Sequence, residues 1–225
     1  NHATRVAAST IGVYAGLLGA LHGYFELLQG DVVSNGIGIN AIGAPCQGNL
    51  VWHACLPAMT IVPNFLTTGI LAIAISLIAF VWAAGFVQQK NAGLILILLS
   101  VLMLLVGAGF IPPFAGIVAG VVSFRINAPF PTTQTFLLGR VLNLLARLWP
   151  WTLIAFVVWS IGGWILGYFF NQIMMSFSFI LFFFCNLGLP LLTVVTGIAH
   201  DVGLLARPRD HDDDPGSLGA AHTDG

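Results

Sequence analysis

The stretch IVPNFLTTGILAIAISLIAFVWAAGFV, residues 61–87, decides the class of this protein. It contains no Asp, Glu, Lys or Arg, and it is longer than the roughly 20 apolar residues that cross a bilayer as a helix. Comparable uncharged stretches separate Lys90 from Arg125 and Arg147 from Asp201. A soluble helix needs a polar face, and these stretches have none. The sequence therefore predicts an integral membrane protein made of transmembrane α-helices.

The composition of the whole chain agrees with this class. Of the 225 residues, 58% are hydrophobic and 7% are charged, against roughly 25% charged residues in an ordinary soluble domain. The formal net charge is −1, so no basic excess indicates a nucleic-acid partner. The predicted partner is the lipid bilayer, together with other membrane subunits or a second copy of the chain.

We predict an all-α polytopic bundle of five or six transmembrane helices in residues 1–206, followed by a disordered polar tail at 207–225. Five crossings are predicted at residues 7–29, 61–87, 92–110, 151–169 and 172–205. Pro63 is expected near the first turn of the second crossing, where its missing N–H is harmless. The adjacent Pro112 and Pro113 end the third crossing, so residues 111–127 form either a short sixth crossing or a re-entrant half-helix. Residues 30–60 form a polar outer loop.

Residues 132–148 are predicted to form an amphipathic helix in the membrane interface. Arg140, Asn143 and Arg147 fall on one narrow stripe of this segment, while leucines cover the rest. The following Trp149-Pro150-Trp151 predicts an interfacial turn into the next crossing.

The positions of Lys and Arg favour six segments over five, because these residues accumulate on the cytoplasmic side of membrane proteins. With six segments both termini are cytoplasmic, and one side holds all seven basic residues: Arg5, Lys90, Arg125, Arg140, Arg147, Arg207 and Arg209. With five segments they are divided between the two sides.

The first crossing contains the clearest candidate site. Its glycines fall on one helical stripe that lets another helix approach closely: Gly12, Gly16, Gly19, Gly23 and Gly30. His22 and Glu26 flank this stripe, whereas Leu17 and Leu28 point the opposite way, toward lipid. An ionised carboxylate inside the bundle costs a few kcal/mol unless it is paired or wetted, so Glu26 is a functional candidate. The alternative is that His22 and Glu26 only hydrogen-bond a neighbouring helix and fix its packing.

The outer loop adds a second group of candidates, Asp31, Cys46, His53 and Cys55. Cys46 and Cys55 are spaced for a disulfide in an oxidising compartment. His53 could join His22 and Glu26 in a two-histidine, one-carboxylate metal site, although no paired Cys spacing supports metal binding. His200 and Asp201 end the last crossing and lie far from Glu26 if there are six segments.

Three classes of function remain open from the sequence. The first is a small permease or channel for a small solute or a proton, with Glu26 and His22 as titratable groups. The second is a non-catalytic scaffold or accessory subunit of a membrane complex. The third is a membrane-embedded metalloenzyme. No cofactor is indicated. The break at Gly107, Gly109, Pro112 and Pro113 is consistent with a transporter site if it lies at membrane depth, but a hairpin turn at the outer surface explains it more simply.

Overall fold

The structure, a computed structural model, describes residues 1–34, 36–40, 56–128 and 136–205. These ranges are mostly helical, as predicted. The helices are α1 (His2–Leu28), α2 (Phe65–Gly85), α3 (Ala92–Leu105), α4 (Ile111–Ile126), α5 (Phe136–Phe169), α6 (Asn171–Ser176), α7 (Ser178–Leu181), a π-helix (Phe182–Gly188) and α8 (Leu189–Leu205). Two three-residue strands, β1 (Gly38–Asn40) and β2 (Pro57–Met59), pair antiparallel and are an exception to the all-α prediction.

Within the described ranges, four helical stretches are long and apolar enough to cross a membrane. They are His2–Leu28, Phe65–Gly85, Gly139–Phe169 and Ser178–Leu204. α3 and α4 have only 14 and 16 residues. At 1.5 Å per residue they extend roughly 21 and 24 Å, less than the ~30 Å hydrocarbon core of a bilayer.

α1 is the central helix, and small residues bring its neighbours close to it. Gly12 and Gly23 of α1 lie against Ala83 and Gly69 of α2, so the two helices run antiparallel. On another face, Ala15 of α1 faces the α4 glycine Gly116. A side chain at Gly12 or Gly23 would collide with α2, which is why the glycine stripe of α1 forms this contact. Gly30 is not part of it, because α1 ends at Leu28.

The remaining helices pack in antiparallel pairs. α3 and α4 approach through Gly93 and Gly120, whose backbones are in close contact. α5 and α8 are joined by a hydrogen bond of 2.7 Å between the Thr152 and Thr196 hydroxyls, and Trp149 of α5 lies against Gly197 of α8.

These pairings give the bundle two distinct ends. At the first, the Asn1 side-chain amide donates to the Arg125 and Ile126 carbonyls, and Arg5 donates to the Gln88 side chain. We call this the Arg5 end. The opposite end of α1 contains Glu26, and we call it the Glu26 end. The small β-sheet lies there, with Ile39 and Ala58 packed against Phe25, Leu56 and Phe65.

Two local predictions are wrong. The turn at Trp149-Pro150-Trp151 does not form, because α5 continues through Pro150. A proline removes only one helical hydrogen bond, and Trp149 is held by packing against Ala3 and Ala7. Pro63 lies near the first turn of α2, as predicted, directly before Asn64, which caps the helix by accepting from the Thr67 N–H at 3.1 Å. The third crossing ends at Leu105, five residues early.

The last predicted crossing is helical but not uniform. Its first part is divided into the short α6 and α7, and the π-helix Phe182–Gly188 precedes α8. Pro190 lies in the first turn of α8 and has no N–H to donate to the carbonyl four residues earlier. The wider π turn lies where that bond is missing. Residues 132–135 of the predicted interfacial helix and the predicted tail are outside the described residues.

A buried carboxyl and imidazole beneath a glycine turn

Glu26 and His22 lie inside the bundle, one turn apart on α1. The Glu26 side chain is 0% exposed and that of His22 is 6% exposed, whereas Leu17 and Leu28 on the opposite face are 54% and 62% exposed. Within the described part of the chain, neither Glu26 oxygen has a hydrogen-bond partner, and the same holds for Nδ1 of His22. Buried polar atoms are nearly always paired, so three unpaired atoms in two neighbouring side chains require an explanation.

The turn between α3 and α4 covers this pair. Gly107 and Gly109 have φ values of 90° and 81°, which L-residues with side chains rarely adopt. A Cβ at Gly107 would lie 2.7 Å from Oε2 of Glu26, and one at Gly109 would lie 2.8 Å from Nε2 of His22. Glycine is therefore required at both positions for two reasons: the backbone conformation of the turn and its short distance from the Glu26 and His22 side chains.

Two threonines hold the turn in position. The Thr68 hydroxyl of α2 donates to the Val106 carbonyl at 2.6 Å and is 2.7 Å from the Thr60 hydroxyl. The backbone adds to this attachment, since the Ile61 N–H donates to the Leu105 carbonyl at 2.9 Å. The chain leading into α2 is thus fixed to the turn that covers Glu26.

A narrow cleft of about 30 Å³ adjoins His22. That volume is enough for one or two water molecules. Its walls come from α1, α4, α5 and the π-helix, and they include Tyr14, Trp159 and Asn186. The Trp159 indole N–H donates to the Asn186 side-chain oxygen at 3.1 Å. The π-helix therefore places a polar side chain in the wall of the cleft beside His22, and π turns often occur at functional sites.

Not every sequence candidate joins this group. Asp31 is exposed and accepts a hydrogen bond of 2.6 Å from the Asn64 side chain, so it borders the α2 cap and not the buried pair. His53 and the predicted Cys46–Cys55 disulfide lie outside the described residues, and both stay predictions. Among the residues that the structure describes, no three His, Cys, Asp or Glu side chains are grouped to hold a metal.

Asp201 is the second buried carboxylate, and it lies at the Arg5 end. It accepts hydrogen bonds from the Ala3 N–H at 3.0 Å, the Thr4 N–H at 2.8 Å and the Thr4 hydroxyl at 2.6 Å. These donors belong to the first turn of α1, so Asp201 of α8 acts as its cap from another helix. Thr4 and Glu26 are roughly 33 Å apart along α1, so Asp201 is not part of the Glu26 site.

The predicted position of Glu26 inside the bundle is confirmed, whereas the sequence does not predict which residues surround Glu26 and His22. Thr68, Trp159 and Asn186 come near the site through contacts between segments that are distant in the sequence, and no local pattern indicates those contacts.

Comparisons with protein families, curated proteins and solved structures find no match to this chain. Chemically, a buried carboxyl without donors, beside an imidazole, can bind a proton or a small cation.

Proposed function

We propose that this protein is a membrane permease for protons or small solutes, in which Glu26 binds the transported proton or a cation that accompanies the solute. The observation that supports the proposal is the complete burial of the Glu26 carboxyl without a hydrogen-bond donor in the described residues. An isolated carboxylate in such a place is strongly unfavourable, so the group needs a proton or a cation as its partner. A residue that serves only to join helices would instead have a donor from the neighbouring helix.

In this proposal His22 lies on the path by which the proton or cation reaches Glu26, and the turn at Gly107 and Gly109 blocks that path. His22 lines the cleft and lies one helical turn from Glu26, so its imidazole is placed to pass a proton or to contact a solute that enters there. The turn at Gly107 and Gly109 closes over both side chains. Beyond Glu26, the core toward the Arg5 end is tightly packed around Ala8, Ile11 and Ala15. Passage therefore requires the helices to move, as in transporters that expose a fixed site to alternating sides.

The proposal includes six membrane segments with both termini in the cytoplasm. α3 and α4 form an antiparallel hairpin, which returns the chain to the Arg5 end before α5 begins. This arrangement places Arg5, Lys90 and Arg125 at one end, in agreement with the cytoplasmic bias of basic residues. With the native cysteines replaced, Asn40→Cys should react with an impermeant thiol reagent added to intact cells, and Lys90→Cys should not. Labelling of Lys90→Cys but not of Asn40→Cys would show that the protein has the opposite orientation in the membrane.

Transport is tested with the purified protein in liposomes that enclose a pH-sensitive dye. A potential imposed by a potassium gradient should drive proton uptake with the wild type, and Glu26→Gln should lower the initial rate by at least about tenfold, since it removes the titratable group while keeping the shape. Asp31→Asn is the matched control, because it removes one carboxylate from the same end without touching the buried pair. Equal rates for wild type, Glu26→Gln and protein-free liposomes, with and without added solutes, would contradict the proposal.

A further inference from the structure

A second cleft lies at the Arg5 end, between the first turns of α1 and the last turn of α2. It has a volume of about 370 Å³, and its walls include Arg5, Ser9 and Thr10 of α1 and Ala84 and Gln88 from the α2 side. This size lies in the range of sites that hold small molecules or headgroups. Nothing in the proposed permease activity uses it.

The cleft contains a cation without an anionic partner. Arg5 donates from Nη1 to the neutral side-chain oxygen of Gln88 at 2.8 Å, and within the described ranges no carboxylate pairs with it. Its remaining guanidinium N–H groups form the fork that matches two oxygens of a phosphate. The Ser9 hydroxyl is already used, since it donates to the Ala83 carbonyl at 2.9 Å. Arg5 is therefore the main donor for an anion in this cleft.

An apolar groove lies next to the cleft, along the side of α1 that faces α5. It has a volume of about 310 Å³, and Val13, Leu17 and Leu21 of α1 face Val157 and Ile161 of α5 across it. Thr10 borders both the cleft and the groove. The basic cleft at the helix end and the apolar groove are therefore neighbours that meet at Thr10, and the groove extends from there for roughly 16 Å along α1 toward the bilayer centre.

The depth of the two subsites matches the two parts of a phospholipid. α1 has 27 residues, so at 1.5 Å per residue it is about 40 Å long and its ends reach the headgroup layer. Arg5 is in its first two turns, at headgroup depth, and the groove lies deeper, where acyl chains are. From this geometry we infer that the Arg5 cleft and the α1–α5 groove together bind one anionic phospholipid, with its phosphate on Arg5 and an acyl chain against α1 and α5. Basic pockets between transmembrane helices bind anionic headgroups in this way.

Native mass spectrometry of the delipidated protein, titrated with phosphatidylglycerol, tests the inference. Arg5→Gln should weaken binding roughly tenfold through the loss of charge-assisted hydrogen bonds. Arg125→Gln removes an exposed positive charge from the same end and should leave binding unchanged. Ala84→Phe keeps Arg5 and fills the cleft from the α2 side, so it should also weaken binding, which keeps the test decisive if Arg5→Gln does not fold.

The lipid assignment has two further controls. Phosphatidylcholine with the same chains should bind more weakly than phosphatidylglycerol, because its headgroup carries no net charge. Excess inorganic phosphate should not displace the lipid if the groove contributes to binding. Displacement by phosphate alone would make this a free-phosphate site and overturn the lipid assignment. Equal loss with Arg125→Gln, or unchanged binding with Ala84→Phe, would overturn the site itself.

Discussion

A buried carboxyl group lies at each end of α1, and the two groups differ in whether neighbouring residues donate hydrogen bonds to them. Asp201 at the Arg5 end is 3% exposed and accepts three hydrogen bonds from Ala3 and Thr4. Glu26 at the other end is 0% exposed, and none of the described residues donates to it. The free N–H groups of a helix start favour a negative charge, whereas Glu26, in the last turn of α1, is near carbonyl groups that repel one.

This difference separates a structural carboxylate from a functional candidate without reference to any other protein. Asp201 stabilises the fold because its charge is satisfied by groups that would otherwise be unpaired. Glu26 gains nothing comparable from its surroundings, yet a turn with two glycines at positive φ is built closely around it. A turn that only glycine can form, built closely around an unsatisfied polar group, is what we expect of a site whose partner comes from outside the protein. The following substitutions test whether the two ends differ as stated.

The largest effect is expected at Gly107. Gly107→Ala should lower the free energy of unfolding by about 4 kcal/mol, because the new Cβ combines an unfavourable φ with overlap against the Glu26 carboxyl. Gly36→Ala is a matched control: Gly36 has a φ of 95° but no neighbour within 4 Å, so this change should cost only about 1 kcal/mol. Unfolding in increasing sodium dodecyl sulfate measures both.

A double variant divides the Gly107 effect into its two causes. Adding Glu26→Ala to Gly107→Ala should recover the part that is due to overlap and leave the part that is due to φ. If Glu26→Ala recovers none of the lost free energy, the turn does not lie against Glu26 and the description of the site is wrong.

Asp201 should show the next largest effect. Asp201→Ala leaves the Ala3 and Thr4 N–H groups and the Thr4 hydroxyl without their acceptor, so the free energy of unfolding should fall by about 3 kcal/mol. Asp31→Ala, which removes an exposed carboxylate, should cost less than about 1 kcal/mol. The same unfolding titration applies, and a cost for Asp201→Ala no larger than that for Asp31→Ala would remove the contrast between the two ends.

The sequence was sufficient for the parts of the fold that depend on local composition. α1 and α2 are both predicted, with boundaries that differ from the structure by up to five residues, because uncharged stretches of membrane length have few alternatives to a helix. The early end of α3 and the continuation of α5 through Pro150 were missed, since packing of Trp149 and the turn at Gly107 decide them. Propensity at a proline is a weak guide where tertiary contacts oppose it.

Only the α1 part of the candidate site, Glu26 and His22, was predictable from the sequence. Glu26 is the one carboxylate within a long uncharged α1 stretch, and helical spacing relates it to His22 and Gly23. Gly107 and Gly109 predict a break in the helix, and a turn between α3 and α4 forms there, whereas its location at the outer membrane surface stays a prediction. No sequence pattern predicts the contact of this turn with Glu26. Which turn covers which helix depends on the packing of α3 and α4 against α1, and no short-range pattern contains that information.

A smaller effect is expected from the threonine that holds the turn. Thr68→Val keeps the shape and removes the hydroxyl that donates to the Val106 carbonyl, so it should cost about 1–2 kcal/mol. Thr67→Val makes the same chemical change one residue earlier, at an exposed position, and serves as the control. If the turn is also part of the permease barrier, Thr68→Val should raise the background proton leak in liposomes. An unchanged unfolding free energy would show that this bond does not hold the turn.

The smallest effect, and the most informative one, is expected from Glu26→Gln. Glutamine has nearly the shape of glutamate, so it should fit beneath Gly107 without the overlap that a larger side chain would cause. No hydrogen bond to the carboxyl is lost, because none of the described residues makes one, and the cost of burying a charge is removed. A buried amide also has unpaired groups, so the gain is partly cancelled. The free energy of unfolding should therefore change by less than about 1 kcal/mol in either direction, while proton flux falls. A loss of 2 kcal/mol or more, approaching that of Asp201→Ala, would mean that the Glu26 carboxyl has a structural partner and that the two ends of α1 are alike.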